Sequence, residues 1–320
     1  MRNIVIILLL LVTACKDKDY TVPVPKDALQ NDCIKRTLGP NVAGLNIEFA
    51  YAMALPLNKG KIVSAQVEAS IAGATGTYLE NKSYYTNGSG VDVGIQIGDP
   101  SVNENNFTKV NFTKDTNAVT LRYYYIIPKE AQGKSVTFTF SAKSSDGEAV
   151  SYKMGPYVIS KMDMVLDLPV KDGDFISIAN MAVYNLADAA TKTDKLDLVY
   201  LFRSIPNISF GHALVSPGGE PDYLPNVTLP TGANKITKVS KVWNLRDFHL
   251  ARLQYGIYID DLDFEQLKMS DAPDYAINLK AEAGTWIETA DGKYRAYIYI
   301  NKASDANKNA VISMKRYTLK

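Results

Sequence analysis

Short segments in which apolar and polar residues alternate fill the first half of the chain. A period of two is that of a strand with one buried face. Turn signals such as NKG at 58–60 and TNGSG at 86–90 separate the segments. The pattern predicts an all-β, antiparallel fold and, over residues 28–164, a sandwich of immunoglobulin-like architecture. The predicted strands are 45–54, 61–71, 91–97, 107–112, 118–127, 135–141 and 150–159.

Strand-like segments resume after residues 165–174, VLDLPVKDGD, where a proline and a Lys-Asp-Gly turn interrupt the pattern. We place a domain boundary there and predict a second antiparallel sandwich over residues 165–320. The sequence TADGKYRAYIYI at 289–300 is the clearest hairpin, because Asp-Gly supplies the positive φ angles of a type I′ turn. The predicted strands form one set at 175–184, 196–202, 208–215 and 236–242, and another at 275–279, 285–289, 294–300 and 310–317.

Residues 244–269 depart from the β pattern. Leu245, Phe248 and Leu253 lie near helical spacing, and Asp263 could cap a short turn at FEQL. We expect one or two short helices packed on the second sheet. The acidic cluster at 260–265 lacks the glycine bend of a calcium loop, so a solvated helix start is the preferred interpretation.

The chain begins with an apolar run. Arg2 is the only charge before the apolar residues 4–12, and the small residues Thr13 and Ala14 follow them. This is the layout of a secretory signal, and the run is too short for a transmembrane helix, which needs about 20 residues. We therefore predict a signal peptide over residues 1–14 that is removed from the mature chain.

Residues 12–15, Val-Thr-Ala-Cys, resemble the lipobox of bacterial lipoproteins. The resemblance implies that the Cys15 thiol carries diacylglycerol and that Cys15 becomes the N-terminus. Acyl chains contribute about 0.8 kcal/mol per buried CH₂, so several together hold a folded domain to a membrane leaflet. Prolines in YTVPVPK at 20–26 favour an extended, stiff segment. We predict a tether over residues 15–27.

Charge and cysteine content narrow the classes of partner. Without Arg2 the 35 basic residues become 34, which equals the 34 acidic ones. A neutral chain with interspersed charges has no long-range field for polyanions, so nucleic acid is not expected as a partner. With Cys15 lipidated, Cys33 has no disulfide partner, and we interpret it as a buried small hydrophobic residue.

Sequence signatures of catalysis are missing. The chain contains no G-x-S-x-G, no H-E-x-x-H, no G-x-x-x-x-G-K-[ST] and no serine followed three positions later by lysine. We therefore predict no enzyme activity, no cofactor and no metal site. A glycosidase that uses two carboxylates stays open, because the separation of such a pair is set by the fold.

Aromatic content favours binding instead. The chain has 20 tyrosines, ten phenylalanines and two tryptophans, and a tyrosine ring suits both sugar stacking and protein interfaces. Each ring could equally be part of the core or a plain surface residue. The candidate ligand-binding residues are Tyr84 and Tyr85 beside the TNGSG turn, Tyr223 in the proline- and glycine-rich loop 216–225, and Trp243 at a strand end.

These features together resemble a family of Bacteroidota outer-membrane lipoproteins of unknown function. The resemblance rests on CKDKDY at 15–20, on residues 31–55, on MGPYVISKMDM at 154–164 and on KLDLVYLF at 195–202. It implies an immunoglobulin-like first domain and a second β-rich domain. Asp17 and Asp19 loosely match the acidic signal for surface export in such lipoproteins.

The segment 284–302 also resembles the terminal hairpin of haem-scavenging lipoproteins of the same phylum, which bind haem through two histidines. On this alternative His212 and His249 would be the haem ligands. Our first expectation is a non-catalytic surface lipoprotein that is anchored in the outer membrane and captures a glycan for nutrient uptake. The other alternative is an adhesive or structural module that meets an outer-membrane protein through an exposed strand edge.

Overall fold

The computed structural model describes residues 26–252 and 255–320, and of Ile208 it describes the backbone alone. The predicted signal peptide 1–14, Cys15 and the tether 15–27 except its last two residues lie outside the described part. Antiparallel sheets form nearly all of the described fold, with a few short helices, so the predicted all-β class is confirmed. No helix of the described residues is long and apolar enough to cross a membrane.

The first sandwich contains a four-stranded and a five-stranded sheet. Sheet 1 has the order β1-β2-β9-β4 and sheet 2 the order β11-β10-β3-β8-β7. Sheet 1 matches the A-B-E-D order of immunoglobulin domains and β11-β10-β3 match the G-F-C order, while β8 and β7 extend sheet 2 beyond β3. The strands are β1 (Gln30–Lys35), β2 (Asn46–Ala54), β3 (Ile62–Ala69), β4 (Tyr78–Leu79), β5 (Lys82–Thr86), β6 (Asp92–Gln96), β7 (Val102–Glu104), β8 (Phe107–Asn111), β9 (Ala118–Ile126), β10 (Ser135–Ser144) and β11 (Ala149–Val158).

Alternation along the strands builds the core of this sandwich. In β2 every second side chain from Ile47 to Met53 is buried, and β9 and β10 repeat the pattern. Phe49 packs against Phe138 and Phe140 at ring-centroid distances of 4.8 and 5.2 Å. The large aromatic side chains occupy the space that a disulfide and a tryptophan fill in antibody domains.

Four strands of the first sandwich, β1, β4, β5 and β7, are not among the predicted strands, and β4 and β7 have only two and three residues. β1 reads QNDCIK and has one fully buried side chain, Cys33, because it is an edge strand paired only with β2. β5 pairs with β6 in a separate two-stranded hairpin that stands beside β9. Neither β1 nor β5 has enough buried residues to produce the alternation from which a strand is predicted.

The second sandwich contains two five-stranded sheets. Sheet 3 has the order β12-β21-β20-β19-β17, and sheet 4 has the order β14-β13-β15-β16-β18. The strands are β12 (Asp163–Lys171), β13 (Phe175–Ser177), β14 (Ala182–Tyr184), β15 (Leu198–Ile205), β16 (Ile208–Val215), β17 (Lys238–Trp243), β18 (Tyr275–Leu279), β19 (Ala283–Glu288), β20 (Tyr294–Ser304) and β21 (Asn309–Thr318).

The two sets of strands predicted from the sequence correspond to the two sheets except at β17 and β18, which are each placed in the wrong set. β17 lies in the sheet of β19–β21, and β18 lies in the sheet of β13–β16. Each connection therefore crosses between the sheets, and chain order does not reveal such a crossing. The predicted strand 175–184 is a hairpin of β13 and β14, in which Met181 adopts a positive φ of 50°.

Residues 165–174 lie within and just after β12 and not between the domains. Pro169 pairs with Val311 of β21 in the edge strand of sheet 3. Only one side of an edge strand needs backbone donors, so proline is tolerated there. The connection between the two sandwiches is consequently shorter and earlier than predicted, at residues 159–162 between β11 and β12.

Three short helices accompany the second sandwich: α1 (Leu186–Ala189), α2 (Phe248–Ala251) and α3 (Asp261–Gln266). In α2 and α3, Leu250 and Phe264 pack on the outer face of sheet 3, as expected for residues 244–269. The N-cap of α3 is Asp260 and not Asp263. Asp263 completes a capping box, because its carboxylate accepts a hydrogen bond from the Asp260 backbone amide at 2.9 Å.

Polar and apolar contacts join the two sandwiches. Val42 is buried with Met162, Leu250 and Ile259 in one cluster. Asp163 accepts hydrogen bonds from Lys129 and Gln132 of the first sandwich and from Arg316 of the second. Gly39 has a φ of +77°, and a Cβ atom there would lie 2.2 Å from the ring of Tyr258. The Tyr258 ring therefore needs a glycine beneath it.

Candidate functional site

A shallow cavity of about 420 Å³ lies on the outer face of sheet 1, and we call it the tyrosine groove. The residues of its floor are paired with one another across neighbouring strands. Gln30, Ala54 and Ala118 form one row across β1, β2 and β9, and Asp32, Ala52 and Thr120 form the next. The groove is lined by Gln30, Asn31, Asp32, Ala52, Met53, Ala54, Ser83, Tyr84, Tyr85, Ala118, Val119 and Thr120.

Small residues on the central strand create the hollow. The outward positions of β2 include Ala50, Ala52 and Ala54, whose side chains are single methyl groups. The polar side chains of β1 bound this row of methyl groups on one side, and on the other side the hairpin β5–β6 stands beside β9. The alternating alanines in FAYAMA are the sequence signal for this floor, and sequence reasoning missed it.

Several contacts fix the hairpin as a wall of the groove. The guanidinium carbon of Arg122 lies 4.2 Å from the centre of the Tyr84 ring. Arg122 also forms an ion pair with Asp92, and the Thr120 amide donates to the Ser83 hydroxyl at 3.2 Å. The hydrogen bond from Thr86 and the charge of Arg122 hold the pKa of Asp92 below its usual value.

Tyr84 and Tyr85 consequently have different roles. Tyr84 is half-buried, packs against Arg122 and donates its hydroxyl to Glu80 at 3.2 Å. Burial and the nearby Glu80 raise its pKa. Tyr85 is 52% exposed and offers its ring to the groove. Of the two predicted residues, Tyr85 is the one available for stacking.

Polar groups of β1 face these aromatic rings. Asp32 accepts a hydrogen bond from the Cys33 amide through one carboxylate oxygen at 2.8 Å, which orients the carboxylate at the rim. Asn31 pairs with Met53 on the core-facing side of β1, where its amide donates to the buried Tyr51 hydroxyl at 2.9 Å. The outward groups are the Asp32 carboxylate and the Gln30 side chain. An exposed ring beside such groups can stack on one apolar face of a ligand, while they form hydrogen bonds around its edge.

The other predicted aromatic residues lie elsewhere. The Tyr223 ring stacks on Tyr275 with a centroid distance of 3.5 Å, and the two hydroxyls form a hydrogen bond of 2.7 Å. This pair belongs to the apolar cluster that covers the outer face of sheet 4. Trp243 is 59% exposed at the end of β17, in the second sandwich. The four candidates therefore do not converge on one surface.

The two histidines lie on opposite faces of sheet 3. His212 is buried between sheets 3 and 4, where Nδ1 is 2.5 Å from the Tyr200 hydroxyl and Nε2 is 2.9 Å from Asp305. His249 belongs to α2 on the outer face, where it packs beside Phe248 and Tyr258. Burial lowers its pKa to about 4. The arrangement does not bring the two imidazoles together, so it offers no support for the haem alternative.

Cys33 is a free, buried thiol of β1. Burial, and then the neighbouring Asp32 carboxylate, raise its pKa to about 12. The thiol therefore stays protonated at neutral pH, and its side chain packs in the core of the first sandwich.

Comparisons with known proteins agree with this two-part architecture. Residues 26–159 match the family described as Domain of unknown function (DUF4466), and residues 160–319 match Domain of unknown function (DUF8576). No curated protein matches the chain. BcpA*, the major pilin subunit of Bacillus cereus, covers 48% of this chain and 49% of its own at 10% identity, and its TM-score of 0.29 supports no conclusion.

A solved structure is similar to this chain over most of its length. The crystal structure of a DUF4466 family protein from Parabacteroides merdae is 48% identical in sequence and superimposes with a TM-score of 0.86. The match covers 92% of this chain and all of that one. Parabacteroides is a member of the Bacteroidota, the phylum that the sequence resemblance indicates. The chain therefore belongs to the DUF4466 family and carries a second domain of the DUF8576 family.

Proposed function

We propose that this chain is a non-catalytic lipoprotein of the outer-membrane surface that captures a glycan in the tyrosine groove. The observation that carries the proposal is the half-exposed ring of Tyr85 in a cavity that Asp32 and Gln30 also line. Sugar rings have an apolar face and a polar edge, and this combination of groups matches both. The apolar run 4–12 and Cys15 support the membrane anchor.

The size and rigidity of the groove fit one sugar residue of a longer chain. A cavity of about 420 Å³ lies within the usual range of ligand sites. Its floor is backbone and methyl groups on a sheet, and its wall is fixed by Arg122. A preformed surface of this kind loses little conformational entropy when a ligand binds.

Glycan binding can be tested with a soluble chain of residues 26–320, which comprises both sandwiches. We expect retention on at least one immobilised neutral polysaccharide, and we expect Tyr85→Ala to weaken it by about tenfold, equivalent to about 1.4 kcal/mol. Trp243→Ala is the matched control, because it removes an exposed aromatic ring in the other sandwich. Failure to bind any neutral polysaccharide, or equal binding by Tyr85→Ala, would contradict the proposal.

The anchor is tested in the full chain expressed in a Bacteroidota host. We expect incorporation of a labelled fatty acid, and we expect Cys15→Ser to abolish it. Cys33→Ser should leave labelling unchanged, because that thiol is buried in β1. External protease should digest the chain on intact cells. Labelling of Cys15→Ser, or full protection from protease, would count against surface anchoring.

A further inference from the structure

The outer face of sheet 2 carries two adjoining cavities of about 500 and 330 Å³, both lined by Gln66 and Lys109. We call the combined surface the polar trough. It lies on the opposite side of the first sandwich from the tyrosine groove, because sheets 1 and 2 pack face to face on one core. Its outward residues are Ser64, Gln66, Asp99, Glu104, Lys109, Asn111, Ser141, Lys143 and Ser151.

Strand register arranges these residues as rows across the sheet. Ser151, Ser141, Gln66 and Lys109 follow one another across β11, β10, β3 and β8. In the neighbouring row Lys143 pairs with Ser64. Strands lie about 4.8 Å apart, so the two lysines flank β3 on either side, and their long side chains can reach a common point above it.

The smaller cavity has a cationic, hydrogen-bonding lining. Lys109 and Lys143 are both exposed, and Ser64, Ser141 and Ser151 contribute hydroxyls beside the Gln66 amide. No carboxylate lines this cavity, and within the described residues neither lysine forms an ion pair. Two unneutralised ammonium groups above a floor of hydroxyls are suited to a sulfate or carboxylate group.

The larger cavity differs in charge. Asp99 and Glu104 line it together with Lys109 and Asn111. Carboxylates and side-chain amides there can accept or donate hydrogen bonds to sugar hydroxyls, but they disfavour a second anion. The trough is therefore cationic at one end and acidic at the other.

We infer that the polar trough is a second binding site of the chain and takes an anionic polysaccharide that carries sulfate or carboxylate groups. The smaller cavity holds the anionic substituent between Lys109 and Lys143. The larger cavity holds the hydroxyls of the adjoining sugar. A polymer fits better than a free ion, because the two cavities share Gln66 and Lys109 and so form one continuous surface.

The test uses residues 26–320 with κ-carrageenan, hyaluronan and dextran as immobilised probes, because the first two polymers carry one sulfate or one carboxylate on every second sugar and leave the adjoining sugar uncharged. We expect retention on one or both acidic polymers that weakens as salt rises, because exposed charges are screened. Lys109→Ala and Lys143→Ala should each weaken it by up to about fivefold, and the double variant should weaken it further. The control is Lys153→Ala, since Lys153 is exposed on the same sheet face but lines neither cavity.

Each outcome of this test either supports or contradicts the proposal. Preference for κ-carrageenan identifies sulfate as the ligand group, and preference for hyaluronan identifies carboxylate. Equal loss in Lys153→Ala, equal binding of inorganic polyphosphate, or no retention of either acidic polymer overturns the inference. Tyr85→Ala should bind the acidic polymers as well as the unchanged chain does, so failure of this site and failure of the tyrosine groove are distinguishable.

Discussion

At the scale of single residues, one buried ion pair connects a helix to sheet 3 in the second sandwich. Lys315 and Asp247 are both fully buried, and their charged groups lie 2.6 Å apart. The Lys315 ammonium also donates to the Ile259 carbonyl at 2.8 Å, and Asp247 accepts from the amides of Leu250 and Ile259. Burial lowers the pKa of Lys315, and the Asp247 charge opposes that shift. The pair therefore ties α2 and the chain after it to β21.

Lys315→Met should lower the free energy of unfolding by about 3–5 kcal/mol, because it leaves the Asp247 carboxylate buried without its counterion. Urea unfolding of residues 26–320 measures the effect. Arg36→Met is the matched control, since it removes an arginine from a solvent-exposed ion pair with Glu48, and it should cost about 1 kcal/mol or less. Similar losses in the two variants would show that the buried pair has no special role.

Buried tyrosines predict a specific response to alkaline pH. Burial raises the pKa of Tyr51, Tyr123, Tyr125, Tyr200 and Tyr297. In the unfolded chain each would ionise near pH 10. Above that pH the unfolded state releases protons that the folded state retains, so stability is complete below about pH 10 and falls as pH rises. Burial lowers the pKa of Lys35, Lys241 and Lys315, which act in the opposite direction, but they are three groups against five.

The absorbance of tyrosinate measures this response directly. At increasing pH we expect the exposed tyrosines to ionise first and reversibly. The remaining tyrosines should ionise only together with the loss of β-sheet circular dichroism. Ionisation of all 20 tyrosines while the sheets remain intact would disprove the argument.

At the scale of elements, the hairpin β5–β6 depends on Arg122 for its position. Arg122→Met removes the cation from the Tyr84 ring and from Asp92. We expect the free energy of local opening to fall by about 1 kcal/mol, the usual contribution of an exposed cation–π contact and ion pair. Amide hydrogen exchange should become faster in β6 and stay unchanged in β3. Lys82→Met, an exposed hairpin residue without an ion pair in the described part of the chain, is the control.

The same elements show what sequence patterns can predict. Strands with one fully buried face, such as β2, β9 and β10, can be predicted because their apolar and polar residues alternate. β12 does not, because the proline that an edge strand tolerates resembles a domain boundary. The tyrosine groove combines β1, β2, β9 and the hairpin, and the polar trough combines five strands. Their members become neighbours only through the register, which sequence does not show.

At the scale of the whole molecule, one of the contacts between the two sandwiches requires a glycine, because the Tyr258 ring lies against Gly39. Gly39→Ala should displace the Tyr258 ring and weaken the interface, because a Cβ atom would lie 2.2 Å from it. Gly44→Ala controls for backbone strain, since Gly44 also has a positive φ, +87°, but its Cβ would meet nothing within 4 Å.

Calorimetry distinguishes the clash with the Tyr258 ring from the backbone strain of an alanine at a positive φ. We expect both variants to lose about 1 kcal/mol or more through the positive φ, and only Gly39→Ala to convert one cooperative transition into two. A single transition in Gly39→Ala, at the same midpoint as in Gly44→Ala, would show that the sandwiches do not depend on this contact.

The prolines of two edge strands have a consequence for the surface anchoring that we propose. Pro156 lies in β11 and Pro169 in β12, at the outer edges of sheets 2 and 3. A residue without a backbone donor interrupts the ladder that a second copy would need for lateral strand pairing. Molecules confined to two dimensions meet one another far more often than molecules in free solution. Chains anchored as proposed would therefore not pair through these two edges when they are densely packed, and both proposed binding faces of the first sandwich would stay accessible.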